Sequence, residues 1–265
     1  MFYDIHAHIL PGFDDGAEDL DTSLAMLQIA AEQGTTGLVA TPHFAEGQWL
    51  PAWERIQEAC RSLSEAARSR GLPVEIYPGS EVAYYSGIEK IISGTGAYCI
   101  NSSRYMLVEL PGTQVPLSIE DFFFKLQTLG ITPILAHPER NREIQQQPEL
   151  LPDWVERGVL LQINGSSILG KMGETAQVMA ERLLLSGMVH CIASDGHGST
   201  SRRPGLAQAA QIVTELVGQS TAELVMSINP GHIIHNHDVT TLEPDLKRFY
   251  ERPKAENPWY KIWAK

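Results

Sequence analysis

Short apolar, β-branched runs begin near Phe2, Gly37, Val74, Tyr105, Ile131, Val159 and Val189, and between them apolar positions return at helical spacing. Such alternation predicts strand-helix units around a parallel sheet. Trp53, Ile56, Cys60, Leu63 and Ala67 fall on one helical face, with Gly71 as the stop. Ser118 with Asp121 resembles a capping box ahead of Phe122, Phe123, Leu126 and Leu129, and Gly130 ends that helix. No linker or repeat interrupts the series, so residues 1–265 read as a single domain. Seven units predict an α/β fold, an incomplete or distorted version of the eight-fold barrel, with chemistry at the C-terminal ends of its strands.

Composition narrows the chemistry. A 265-residue chain that is 43% hydrophobic can bury a large core. Its formal net charge of −12 argues against sequence-independent nucleic-acid binding, which needs many Lys and Arg against phosphates. Asp4, His6 and His8 interrupt any apolar N-terminal stretch, and no later run is long enough to span a bilayer, so a cytoplasmic location is expected. Cys60, Cys99 and Cys191 lie far apart, without a CxxC pair, and read as buried small hydrophobes. None is followed six positions later by arginine, so a thiolate nucleophile with an arginine phosphate cradle is missing.

Metal-binding side chains gather where the strands run out. The first strand ends in Asp4-Ile5-His6-Ala7-His8, where alternation points His6 and His8 the same way. His43 follows the second strand, Glu81 the third, Glu109 the fourth and His137 the fifth. The sixth ends in Asn164, a weaker ligand type, and the seventh in Ser194-Asp195-Gly196-His197. A lone histidine or glutamate is usually a surface or hydrogen-bonded group, but a packed core gives no reason for this repeated placement. With Asp15, the candidates are His6, His8, Asp15, His43, Glu81, Glu109, His137, Asp195 and His197: too many for one ion, generous for two and suited to three. Imidazole with carboxylate suits manganese, iron or zinc more than calcium.

Ions held there would lower the pKa of water from ~15.7 towards ~7 and neutralise charge on a phosphoryl group, so no protein nucleophile is required. Arg140 and Arg202 follow the fifth and seventh strands and could grip phosphate oxygens in forked geometry; surface ion pairing is the competing account.

The string from Asp4 to Gly16, Asp-Ile-His-Ala-His-Ile-Leu-Pro-Gly-Phe-Asp-Asp-Gly, resembles the polymerase and histidinol phosphatase (PHP) superfamily. Within it, the likeness is to the bacterial manganese-dependent protein tyrosine phosphatases of capsule and exopolysaccharide clusters. It continues through Ala40-Thr41-Pro42-His43-Phe44, Pro78-Gly79-Ser80-Glu81-Val82, Leu107-Val108-Glu109-Leu110-Pro111, Ala136-His137-Pro138-Glu139-Arg140-Asn141, Gln162-Ile163-Asn164 and Ser194-Asp195-Gly196-His197, covering roughly residues 1–235. The resemblance implies a distorted seven-stranded (β/α)7 barrel of PHP type with three metal ions. His6, His8, Glu81 and Asp195 match a first ligand set, and Glu81 bridges to a second ion held by Glu109 and His137. Asp15, His43 and His197 match a third set, and Arg140 and Arg202 match phosphate-binding arginines. It further implies a phosphotyrosine substrate on a membrane-associated tyrosine autokinase. The general acid is left open between Asp195, His197 and a metal-bound water.

Phe13, Phe44, Trp49, Tyr84 and Tyr85 could rim the site for a tyrosine ring, with plain packing as the alternative. Residues 233–237 and the aromatic, basic tail from Phe249 to Lys265, with Tyr250, Trp259, Tyr260 and Trp263, fall outside the likeness. The tail is expected to pack on the barrel rather than dock to a kinase or membrane. The competing functions are a small-molecule phosphatase of the histidinol-phosphate type, an amidohydrolase, which usually supplies a bridging lysine, and a metal-binding scaffold, which has no need of nine ligands.

Overall fold

The computed structural model describes residues 1–251. Among the described residues there are nine strand segments: β1 (Phe2–Ala7), β2 (Thr35–Ala40), β3 (His43–Phe44), β4 (Glu75–Pro78), β5 (Glu81–Ala83), β6 (Tyr105–Glu109), β7 (Thr132–Ala136), β8 (Leu160–Asn164) and β9 (Cys191–Ala193). All pair in parallel, in the orders β1-β2-β4 and β3-β5-β6-β7-β8-β9. The seven expected strands become nine segments because two of them break. Thr41-Pro42 separates β2 from β3, and Gly79-Ser80 separates β4 from β5. Pro42 has no N–H for a ladder. Its carbonyl accepts instead from Glu81 N (3.1 Å) and Ser80 Oγ (2.9 Å).

The chain passes from one sheet to the other at these breaks, and β9 returns to β1 on the far side. Asp195 N donates to His6 O (2.9 Å) and His8 N to Gly196 O (2.8 Å), in a parallel bridge between Ala7 and Gly196. The result is a closed ring of seven strand paths, distorted at two of them.

Period-two alternation sorts the side chains. Ile5, Val39, Leu107, Ile134, Leu160 and Cys191 come from six different strands yet form one buried cluster, which is possible only inside the ring. Ile233 and Ile234, on the helix Asn229–Ile234, join that cluster and close its lower end. Met106, Val108, Leu135, Leu161, Ile163 and Ile192 point outward, onto the surrounding helices. The helix Trp53–Ser69 buries the five residues its periodicity predicted and ends ahead of Gly71.

The capping box at Ser118 does not form. Ser118 occupies the N-cap of Ile119–Thr128, but its side chain makes no capping bond and pairs with Tyr84 OH at 2.6 Å. Its backbone, at φ −96° and ψ 12°, departs from the extended conformation from which an N-cap side chain reaches the helix amides. The start of the tail does pack: Phe249 is fully buried, with the Arg182 guanidinium 4.4 Å from its ring centre, whereas Tyr250 is exposed. Trp259, Tyr260 and Trp263 lie outside the described residues. No described helix is long and apolar enough to cross a membrane. All three cysteines are free and buried, and burial pushes the Cys60 and Cys99 thiols up to about 12 and about 11.

Candidate metal centre

Histidines and carboxylates from six strand paths meet at the upper mouth of the ring. His6 and His8 present their Nε2 atoms 3.2 Å apart. A partner on the far nitrogen fixes each ring. His6 Nδ1 lies 2.9 Å from Gln162 Oε1, and His8 Nδ1 lies 2.7 Å from Asp14 Oδ2. Both oxygens accept, so a proton sits on each Nδ1 and Nε2 is the nitrogen turned inward, free to bind an ion in place of a proton.

Asp14 is placed by its neighbours in the chain. The turn after His8 folds back so that Ala17 N donates to His8 O at 3.0 Å. A Cβ at Gly16 would stand 2.2 Å from that oxygen, so only glycine permits the approach. Asp14 then accepts from Gly16 N and His43 N, each at 2.9 Å. Burial alone would raise the Asp14 carboxyl, but His8 and these two amides hold it at about 2.

Glu81 is the hub. Its Oε1 lies 2.9 Å from His137 Nε2, and its Oε2 lies 3.3, 3.2 and 3.1 Å from His6 Nε2, His8 Nε2 and His43 Nδ1. Asp195 Oδ1 stands 3.5, 3.6 and 3.4 Å from His6 Nε2, His8 Nε2 and His197 Nδ1. Asp15 Oδ1 lies 3.4 Å from His43 Nε2 and 3.5 Å from His197 Nε2, and Glu109 completes the ring at 3.8 Å from both His43 and His137. All nine sequence candidates are therefore in one cluster. Three overlapping groups have ligand atoms within 4.8 Å of one another: His8, Asp15, His43 and His197; His6, His8 and Glu81; His43, Glu81 and Glu109.

These spacings fit ions. Bonds of about 2.1 Å at angles between 90° and 109° separate two ligand atoms by roughly 3.0 to 3.4 Å. Glu81 Oε2 and Asp195 Oδ1 are buried without a hydrogen-bond partner among the described residues, a costly state for a carboxylate oxygen unless a cation takes the lone pair. Burial and the Glu81 charge push Glu109 up to about 7. Burial opposes a charge on His8, yet Asp14 and Glu81 raise it to about 10. Each shift marks a site whose carboxylates call for positive charge.

The outer oxygen of Asp195 has a separate task. Oδ2 accepts from Arg140 Nη1 (2.6 Å), Arg202 Nη2 (2.8 Å) and Asn164 Nδ2 (2.8 Å). Both candidate arginines thus converge on one ligand, each with further guanidinium N–H groups for an anion. Asn164, expected as a weak ligand, instead links Asp195 to Gln162, whose Nε2 donates to Asn164 Oδ1 at 2.8 Å. His137, Asp195 and Arg202 all adopt left-handed backbone, with φ of 33°, 51° and 45°. Such conformations are disfavoured for residues with a Cβ and persist where the surroundings impose them, often at functional sites.

Asp14, Gln162 and the buried Glu139 are site residues that the sequence reading missed. Glu139 Oε1 accepts from Asn164 N (2.9 Å) and Ser167 Oγ (2.7 Å), fixing the turn after β8. Gln162 was findable, since it stands two positions before Asn164 on the same face of its strand. Of the aromatics expected around the mouth, Trp49 stacks on the candidate ligand His43 at 5.3 Å. Phe44 is buried in the core, Phe13 packs beneath Arg55, and Tyr84 and Tyr85 pack against the core.

The sequence matches the family described as capsular polysaccharide synthesis, CpsB/CapC, over residues 2–235. It is 32% identical over 241 residues to the tyrosine-protein phosphatase YwqE of Bacillus subtilis (strain 168), covering 91% of this chain and 94% of that protein. It is 28% identical over 239 residues to the tyrosine-protein phosphatase CpsB of Streptococcus agalactiae serotype III (strain NEM316), covering 88% and 98%. The fold is similar, at a TM-score of 0.85 and 32% identity, to a crystal structure from a set comprising YwqE from Bacillus subtilis and CpsB from Streptococcus pneumoniae, described as unique metal-dependent tyrosine phosphatases. That likeness covers 91% of this chain and 98% of the other.

Proposed function

The chain belongs to the capsular polysaccharide synthesis CpsB/CapC family, and from that premise we propose that it is a metal-dependent tyrosine-protein phosphatase acting in capsular polysaccharide synthesis. The observation that carries the reading is the pair of buried, unpartnered oxygens, Glu81 Oε2 and Asp195 Oδ1, each ringed by imidazole nitrogens. We assign His6, His8, Glu81 and Asp195 to one ion, Glu81, Glu109 and His137 to a second, and Asp15, His43 and His197 to a third. Manganese is the proposed metal. We further propose a tyrosine-phosphorylated autokinase at the membrane as substrate, a cytoplasmic site of action, and one functional domain over residues 1–265.

When bound, such ions supply water activated at neutral pH and offset the charge of the phosphoryl group. The chain's residues do the rest. Arg140 and Arg202, anchored through Asp195, orient the phosphate oxygens, and the fixed tautomers of His6 and His8 hold the site in a geometry that costs no rearrangement on binding. Water attacks phosphorus, the bond to the tyrosyl oxygen breaks, and inorganic phosphate and tyrosine leave.

Of the two side chains considered as general acid, Asp195 has its outer oxygen filled by three donors. His197 Nδ1 faces the Asp195 carbonyl at 3.0 Å. Neither presents a proton to a leaving group. A phenol of pKa about 10 leaves with less protonation than an alkyl alcohol, which favours aryl phosphates here.

The test compares a phosphotyrosine peptide, a phosphoserine peptide and histidinol phosphate, with manganese or with EDTA, for wild type and His137→Ala. Turnover of the phosphotyrosine peptide alone, requiring manganese and lost in the variant, is the expected result. Turnover of histidinol phosphate alone overturns the substrate assignment.

A further inference from the structure

Beside the metal centre lies a second cavity of about 340 Å³, lined by the turn after β8, the loop after β9 and the end of the helix Leu20–Glu32. Lys171, Arg202 and Arg203 line it, with Ser166, Thr200 and Ser201 among the hydroxyls, and among the described residues no carboxylate does. In a chain of net charge −12, three cations around one hollow without an acid stand against the general surface. Arg202 belongs to both places: it lines the cavity while its Nη2 bonds Asp195 Oδ2 at 2.8 Å. Lys171 and Arg203 have no carboxylate within ion-pair distance among the described residues.

The walls are held in place. Lys171 N donates to Ser166 O at 3.0 Å and His197 N to Arg202 O at 2.8 Å. A Cβ on Gly196 would fall 2.7 Å from Pro204 Cβ, so glycine lets the β9 loop close on itself. The volume sits at the lower end of pockets that hold small ligands, roughly 300 Å³ upward, with room for a side chain and part of its backbone.

We infer that this cavity receives an acidic side chain, Asp or Glu, a few positions from the phosphotyrosine on the substrate peptide, with Lys171 and Arg203 as its specificity-determining residues. The inference rests on the phosphotyrosine reading above. A peptide whose phosphate lies on Arg140 and Arg202 must run past the mouth of the ring. Extended chain advances about 3.3 to 3.6 Å per residue, so a close neighbour reaches the far side of Arg202. The carboxylate gains two cations that have no carboxylate within ion-pair distance among the described residues, and the hydroxyls accept or donate to fit it.

The test measures kcat/KM for the manganese-bound protein on two phosphotyrosine peptides that differ only in flanking Glu against Gln, and on p-nitrophenyl phosphate, which has no flanks. Wild type should prefer the acidic peptide by about three- to tenfold, a preference that shrinks as salt is added. The double variant Lys171→Glu/Arg203→Glu should lose or reverse it while cleaving p-nitrophenyl phosphate as before. Equal cleavage of the two peptides by wild type at low salt overturns the inference, as does an equal loss on both peptides in the variant. Should the double variant misfold, seen as lost p-nitrophenyl phosphate turnover, Lys171→Gln and the wild-type comparison decide. Absence of turnover on every phosphotyrosine substrate sinks the phosphatase reading and this inference with it, a result distinct from cleavage without preference.

Discussion

Asp14 Oδ2 lies 2.7 Å from His8 Nδ1 and 2.9 Å from His43 N, so one carboxylate oxygen orients a candidate ligand from the first strand path and anchors another from the second. Its neighbour Asp15 points the other way, towards His43 Nε2 and His197 Nε2. Adjacent aspartates thus divide the work of supporting ligands and supplying one.

Asp14→Ala should leave the barrel folded and weaken manganese binding by about 10- to 100-fold, the usual loss when a histidine ligand's outer partner is removed. The manganese concentration for half-maximal activity reads this directly. An unchanged value means that His8 is oriented without Asp14.

Arg140→Lys and Arg202→Lys keep the positive charge but lose the fork. Each should lower kcat/KM on a phosphotyrosine peptide by roughly tenfold and weaken competitive inhibition by inorganic phosphate to a similar degree. Lysine variants that match wild type in both readouts would remove the arginines from phosphate binding.

Chelation should destabilise as well as inactivate, because it leaves Glu81, Glu109 and Asp195 facing one another in a buried site. One site at a hundredfold excess over Kd contributes about 2.7 kcal/mol, so Tm should fall by at least about 5 °C in EDTA and recover with manganese. A Tm that ignores EDTA and manganese alike would count against a resident metal.

His190 tests acid stability away from the metal centre. Burial lowers it to about 4, and its Nδ1 accepts from Leu161 N at 3.0 Å, so the folded protein keeps it neutral. Its folded pKa lies below the unfolded value of about 6.5, so the unfolded chain binds the extra proton. The stability this group contributes is fully present above pH 6.5 and is lost as pH falls towards 4, with about 2 kcal/mol gone by pH 5. Urea unfolding of wild type and His190→Gln at pH 7 and pH 5 should show a smaller acid loss in the variant; equal losses would exonerate His190.

Phe249→Ala should cost about 3 to 5 kcal/mol, since it removes a fully buried ring that packs under Arg182. Denaturant unfolding checks it, and a loss under about 1 kcal/mol would mean that the helix Leu246–Tyr250 adds little to the barrel.

The sequence by itself determined the periodicity and the placement of chemistry at strand ends. Alternation put Ile5, Leu107 and Ile134 inside the ring and aimed His6 and His8 together, because those rules are local and each strand repeats them. Gly16 and the aspartate pair were equally plain as a motif, although the motif did not say which aspartate supports and which binds. Only the tertiary structure decided that. It also decided that Arg140 and Arg202 share Asp195, that Asn164 serves Asp195 through its amide, and that Ser118 turns to Tyr84 instead of capping its helix. Arg140 and Asp195 are 55 residues apart in the chain and 2.6 Å apart in space. A hydrogen bond is set by that second distance, and no local pattern encodes it until the ring closes.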